Sequence, residues 1–195
     1  VRPLLGLAVA YLVGAIPVGF LVARARGLDD IRRHGSGNIG ATNVLRTMGW
    51  AAAAMTLLGD VAKGALAVWL GELVSPGAAA GAAVAAVVGN CWPVFLRFRG
   101  GKGVATALGA LLTLAPLAVA PAALVWAAVA GTFRYVSLAS VLAALCVPLG
   151  AVMLAYPWPT VGACAAVAAI IVARHRDNIG RLLSGTERRL GERPA

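Results

Sequence analysis

Acidic side chains are scarce in this chain: seven Asp and Glu stand against seventeen Lys and Arg, and only 12% of its 195 residues are charged. Extended polar sequence is missing too, for no acidic tail, low-complexity linker or stretch of soluble-domain composition separates the apolar runs. Cysteine is limited to Cys91, Cys146 and Cys164, all inside apolar stretches. An odd count without ligand spacing argues against a disulfide framework or a zinc site. What the sequence has in excess is apolar surface. It is 61% hydrophobic with a mean hydropathy of +0.86, more than a soluble domain of this length can bury, so lipid must solvate most of it. The net charge of +10 would suggest nucleic acid in a soluble protein. Here the cations occupy short segments between apolar runs, and no nucleic-acid partner is expected.

A helix needs about 20 apolar residues to cross the hydrocarbon core. Such segments lie near 3–23, 50–71, 77–96, 137–155 and 157–173. The first is too long for a signal-peptide core and is followed by Arg24 and Arg26, so it reads as a retained span. The stretch 104–132, interrupted by Pro116 and Pro121, is too long for one span and short for two. Read as a hairpin of two short helices turning near Ala115–Pro121, it leaves 15 of the 17 Lys and Arg on one side of the membrane. Read as a single crossing, it moves the six tail arginines to the other side. The positive-inside rule selects the hairpin and an all-α polytopic protein of about seven spans, some short, with the amino terminus out and the carboxyl terminus in. Residues 1–195 form one integral membrane domain on this reading. Trp50, Trp69, Trp92, Trp126, Tyr156 and Trp158 fall near span ends and read as interfacial belts.

Three segments on the basic side are polar and glycine-rich. In Gly35-Ser36-Gly37-Asn38-Ile39-Gly40-Ala41-Thr42-Asn43-Val44-Leu45-Arg46, small residues let backbone N–H groups approach an anion. A plain loop with an N-cap at Ser36 or Asn38 explains less, because Asn43 and Arg46 are left over. Gly35, Gly37 and Gly40 spell GxGxxG, but without a preceding strand this is no dinucleotide motif. In Arg97-Phe98-Arg99-Gly100-Gly101-Lys102-Gly103-Val104-Ala105-Thr106, a lysine among glycines at a helix mouth suits a phosphate. It is not a P-loop, since Gly103 and Leu96 stand where Ser/Thr and the first glycine belong. The third segment, His175 to Glu187, sets His175 and Asn178 at i, i+3 on a helix continuing from the last span. Deep in the second span, Asp60 and Lys63 are one turn apart and are expected to pair with one another or to face a polar cavity, as a structural lock or with a direct part in chemistry. On residues alone, an enzyme, a transporter of a phosphorylated metabolite and a structural subunit all use basic loops. A transporter should carry charges at several depths, whereas only Asp60 and Lys63 lie deep; a structural subunit leaves the asparagines and glycines unexplained.

Together GSGNIGATNVLR, DVAKG, WPVFLRFRGGKGVAT and HRDNIGRLLSGTE, in that order across nearly the whole chain, resemble the bacterial membrane family of acyl-phosphate:glycerol-3-phosphate acyltransferases. The resemblance implies transfer of a fatty acyl group from acyl phosphate to the 1-hydroxyl of glycerol 3-phosphate. The products would be lysophosphatidic acid and phosphate, made without cofactor or metal in the cell inner membrane, with the site facing the cytoplasm. It further implies catalytic roles for His175, Asn178 and Ser36. Substrate binding would fall to Gly35, Gly37, Asn38, Gly40, Thr42, Asn43, Arg46, Lys102, Gly103, Thr106 and Glu187. The expected partners are acyl phosphate, glycerol 3-phosphate and membrane lipid, and the chain is expected to be a monomer. Two positions depart from the family pattern: Ile39 replaces a usual proline, and Asn90 a common histidine, so no proton transfer is assigned to position 90.

Overall fold

A computed structural model describes residues 2–192, with side chains from residue 4 onward. Two of the counted cations, Arg2 and Arg193, therefore lie outside the described side chains, as do the ends of the 1–195 domain. The described chain is helical: α1 (Arg2–Gly14), α2 (Val18–Ala25), α3 (Ala41–Met48), α4 (Trp50–Val74), α5 (Ala79–Cys91), α6 (Val104–Leu114), α7 (Pro116–Phe133), α8 (Val136–Met153), α9 (Trp158–Arg174) and α10 (Arg176–Leu183), with short 3-10 turns at Ile31–Arg33 and Val94–Leu96. Among the described residues, five helical stretches are long and apolar enough to cross a membrane: Leu4–Ala25, Trp50–Val74, Ala79–Leu96, Pro116–Phe133 and Val136–Met153. A sixth is formed if α9 and α10, bent by 58°, count as one, and Val104–Leu114 is a shorter apolar helix.

Proline explains the breaks. Pro17 lacks an N–H and parts α1 from α2. Pro116 sits in the first turn of α7, where its missing donor is harmless, and Ala115 alone separates it from α6. Pro121, by contrast, lies inside α7 rather than in the turn, so the second arm is a full 18 residues and not a short helix. The lipid-like surroundings give helices no hydrophobic reason to associate, and small residues bring backbones into contact instead. A Cβ on Gly14 would run into the Ala86 backbone, and one on Gly64 into Thr106 O, which fixes α1 on α5 and α4 on α6.

Helix lengths set the depth of the polar loops. α5 and α6 have 13 and 11 residues, about 20 and 16 Å, beside the 25 residues of α4, about 37 Å. The loop between α5 and α6 therefore ends well inside the length of α4. At the other ends of these helices, Glu72 accepts from Gly77 N and Ala79 N, both at 2.8 Å, and closes the α4–α5 turn. α7 packs chiefly on α8, and α8 on α9, while α6 and α7 pack far less closely on each other. A space is left between α6 and the α7–α8 pair.

Candidate active site

The loop ahead of α3 is organised by Asn43. Its Nδ2 donates to His34 O at 3.0 Å and Asn38 O at 2.8 Å, and its Oδ1 accepts from Ser36 N at 2.7 Å. Buried to 2% exposure, Asn43 spends its amide on the loop and so shapes it rather than holding substrate through its side chain. Asn38 Oδ1 accepts from Gly40 N at 2.8 Å, a turn two residues long, and Gly40 is the N-cap of α3. The plain-loop alternative, with a cap at Ser36 or Asn38, is not what forms, because Asn38 closes this turn instead. Upstream, Asp30 accepts from the backbone and guanidinium of Arg32, which lies over the Phe20 ring and steadies the approach to the loop.

Four separate parts of the chain meet at Lys102. Its Nζ donates to Asn178 Oδ1 at 2.5 Å, Asn178 Nδ2 donates to Glu187 Oε1 at 2.6 Å, and Ser137 Oγ donates to the same oxygen at 2.7 Å. Arg181 Nε donates to Glu187 Oε2 at 2.8 Å. Burial pulls the Lys102 ammonium down to about 8, so it remains mostly charged at neutral pH. Burial pushes Glu187 upward, but the hydrogen bonds from Asn178, Ser137 and Arg181 prevail and hold it below the usual carboxylate range. Gly103 takes φ +83°, and a side chain there would strike Val87.

His175 sits at the bend between α9 and α10, so the helix that carries Asn178 does not simply continue the last span. Its Nδ1 lies 2.8 Å from Ile171 O. A carbonyl only accepts, so Nδ1 carries the proton and Nε2 is the acceptor. Burial first, offset in part by this bond, lowers the imidazole to about 4.

These groups line one cavity of about 650 Å³. Its polar end holds Gly35, Ser36, Asn38 and Gly40 from the loop before α3 and Thr42 and Asn43 from the first turn of α3, joined by Arg46, Lys102, Gly103, His175, Asn178 and Glu187. The other end is an apolar slot between α6, α7 and α8, walled by Leu108, Leu111, Val119, Ala122, Ala144 and Val147. Two expected residues do not line it. Gly37 turns the loop outside the cavity at φ +71°, and Thr106 faces α4, on the side of α6 away from Val104, Ala107, Leu108 and Leu111. Several lining residues escaped the sequence reading. Ser137 and Ser140 are polar positions in the first turns of an otherwise apolar helix, which was the available signal. Trp126, read as a belt residue, instead lines the slot and donates to Ser140 Oγ at 3.2 Å. Trp92 likewise packs under Arg174, 5.3 Å from its guanidinium. Among the described residues no three of His, Cys, Asp and Glu converge as metal ligands.

The family described as glycerol-3-phosphate acyltransferase matches residues 4–185. The chain belongs to that family. It is 51% identical to glycerol-3-phosphate acyltransferase 2 of Moorella thermoacetica, covering 97% of this chain and 98% of that one. Identity to the glycerol-3-phosphate acyltransferase of Neisseria meningitidis is 45%, over 95% of this chain and 96% of the other. Among solved structures, the chain resembles the crystal structure of PlsY, an integral membrane glycerol 3-phosphate acyltransferase, in its glycerol 3-phosphate form: TM-score 0.89 and 37% identity, over 97% of this chain and 96% of that one. The lysophosphatidic acid form gives a TM-score of 0.87 at the same identity, over 97% and 95% of the two chains. Family membership and the apolar helices make this acyltransferase an integral membrane protein.

Proposed function

We propose that this acyltransferase moves a fatty acyl group from acyl phosphate to the 1-hydroxyl of glycerol 3-phosphate, releasing lysophosphatidic acid and inorganic phosphate. The observation that carries the reading is the cavity itself. A cationic end built on Lys102 and Arg46 joins an apolar slot between α6, α7 and α8, which suits two phosphate-bearing substrates of which one has a long acyl chain. The whole chain acts as one membrane domain, as a monomer.

Seven crossings fit this arrangement: α1 with α2, then α4, α5, the short α6, α7, α8 and α9. They put the loops bearing Arg46, Lys102, Arg134 and Arg174 on one side, the cytoplasmic face of the inner membrane under the positive-inside rule. The transporter alternative has little to draw on, since Asp60 and Lys63 stand 2.8 Å apart and neutralise each other.

In the reaction, the glycerol 3-phosphate hydroxyl oxygen attacks the acyl carbonyl carbon. The bond from that carbon to the phosphate oxygen breaks, and phosphate departs with the electron pair. Lys102 and Arg46 hold the phosphates, aided by backbone N–H groups of the loop before α3. Asn178 takes its position from Lys102 and Glu187. His175 orients the hydroxyl through Nε2, but an imidazole held near 4 is a weak proton acceptor at neutral pH. A phosphate oxygen, with a second ionisation near about 6, matches the working pH better and takes the hydroxyl proton. Direct attack is favoured over an acyl-enzyme because the free cysteines Cys91 and Cys164 are buried and neither lines the cavity, and because Ser36 has no side-chain base bonded to it.

The test is reconstitution of the purified protein with acyl phosphate and glycerol 3-phosphate, following lysophosphatidic acid. Acyl phosphate should be the donor. Equal turnover from acyl-CoA, or no product, would overturn the reading.

A further inference from the structure

Lys63 is buried in α4 and lines no part of the cavity, yet its ammonium is engaged on three sides. It donates to Ile16 O at 2.6 Å, at the break between α1 and α2, and to Asn90 Oδ1 at 2.9 Å. Asp60 Oδ1 stands 2.8 Å away, close enough to pair in charge although off the line of a hydrogen bond. An ion pair that served only to lock helices would need no third partner. The third partner here is the residue against which the glycine loop is built. Asn90 O accepts from Gly101 N at 2.9 Å. A Cβ on Gly101 would stand 2.9 Å from Asn90 Nδ2, and one on Gly100 would strike Asn90 O, so the loop backbone lies directly on this residue. From the other side Gly101 O accepts from Arg174 Nε and a terminal guanidinium nitrogen at 3.2 and 3.1 Å. The next residue is Lys102.

We propose that Lys63 and Asn90 are positioning residues: the buried ammonium fixes the Asn90 side chain, and Asn90 with Arg174 clamps Gly100–Gly101 so that the Lys102 ammonium is held at the phosphate end of the cavity. The inference rests on the acyltransferase reading and extends it to Lys63, which lies outside the cavity lining, and to Asn90, which lines the cavity beside Gly101 and acts there through Lys102. Position 90 is thereby a structural acceptor for Lys63, which an amide oxygen supplies and a neutral imidazole nitrogen would supply too.

The test uses the full chain reconstituted in lipid, with Asn90→Leu, Lys102→Ala and their combination. Asn90→Leu should raise KM for whichever phosphate substrate Lys102→Ala weakens by about tenfold or more, with kcat changed far less, as loss of a positioned charge contact predicts. In the Lys102→Ala background the same change should add less than about twofold, because two residues acting through one ammonium are not additive. Asn90→His should restore KM to within about threefold of the parent by supplying the acceptor. If Asn90→Leu is not recovered folded, Asn90→Gln replaces it; by moving the acceptor one methylene away it should also raise KM. A fall in Tm with KM unchanged, or additive effects of positions 90 and 102, would overturn the proposal and leave a purely structural pair. Should the parent protein itself make no lysophosphatidic acid, the acyltransferase reading fails instead, and glycerol 3-phosphate binding by calorimetry runs the same comparison of variants.

Discussion

Lys102 and Asn178, 76 positions apart in sequence, are joined by a 2.5 Å hydrogen bond from the ammonium to the side-chain carbonyl. The bond ties the α5–α6 loop to α10 and continues through Glu187 to Ser137 on α8 and to Arg181. In the proposed reaction, phosphate binding and the placement of Asn178 share this junction.

Removing the charge from that junction should weaken phosphate binding first. Hydrogen bonds to charged groups contribute about 1.5–3 kcal/mol, so Lys102→Ala should raise KM for its phosphate substrate roughly 10- to 150-fold. Steady-state kinetics at varied glycerol 3-phosphate and acyl phosphate will show which substrate responds. An unchanged KM for both would remove Lys102 from binding.

The same ammonium gives a pH signature. Burial lowers Lys102 to about 8, so its charge is complete well below that value and is lost as pH rises through it. The expected result is a fall in kcat/KM above about pH 8, steeper than that of kcat, because bound phosphate keeps the ammonium protonated in the complex. In Lys102→Arg this basic limb should vanish, the guanidinium staying charged throughout.

How much of this was legible in the sequence depended on whether a signal survives in lipid. The break at Pro116 follows from proline's missing donor, whereas the one at Pro17 falls inside a stretch read as a single span. The polar segments bearing Ser36, Arg46, Lys102 and His175 stood out by their glycines and charge, and these residues share one cavity. Helix faces did not announce themselves. In water an apolar stripe marks the buried side, but in a bilayer the lipid-facing side is apolar as well, so Thr106 gave no hint that it faces α4 rather than the cavity. Trp126 was ambiguous for the same reason, a slot wall and a membrane interface both welcoming an amphipathic ring. The bend at His175, whose imidazole bonds the Ile171 carbonyl four residues back, has no adjacent Pro or Gly to flag it.

His175→Ala should lower kcat by about 10- to 100-fold while moving KM much less, the pattern of an interaction that matters most in the transition state. With the imidazole lowered to about 4, it is neutral across pH 5.5–8 and should contribute no acid limb there. A limb near 6.5 present in the parent and absent from His175→Ala would show instead that His175 titrates as the base.

The apolar end of the cavity predicts chain-length control. Val147 lies 11 residues into α8 from Val136, about 16 Å along its axis, and packs in one buried cluster with Leu111, Ala115, Ala118 and Ala151, which close the slot beyond it. Val147→Trp should shorten the slot. Each methylene kept out of it forfeits about 0.8 kcal/mol, so exclusion of two should reduce kcat/KM for long-chain acyl phosphates roughly tenfold. Short-chain donors, which do not reach Val147, should react as before, and KM for glycerol 3-phosphate should not move. A uniform loss across all chain lengths would mean that the acyl chain leaves the cavity by another route, past Leu57 and Ala123, which line the cavity as exposed residues of α4 and α7.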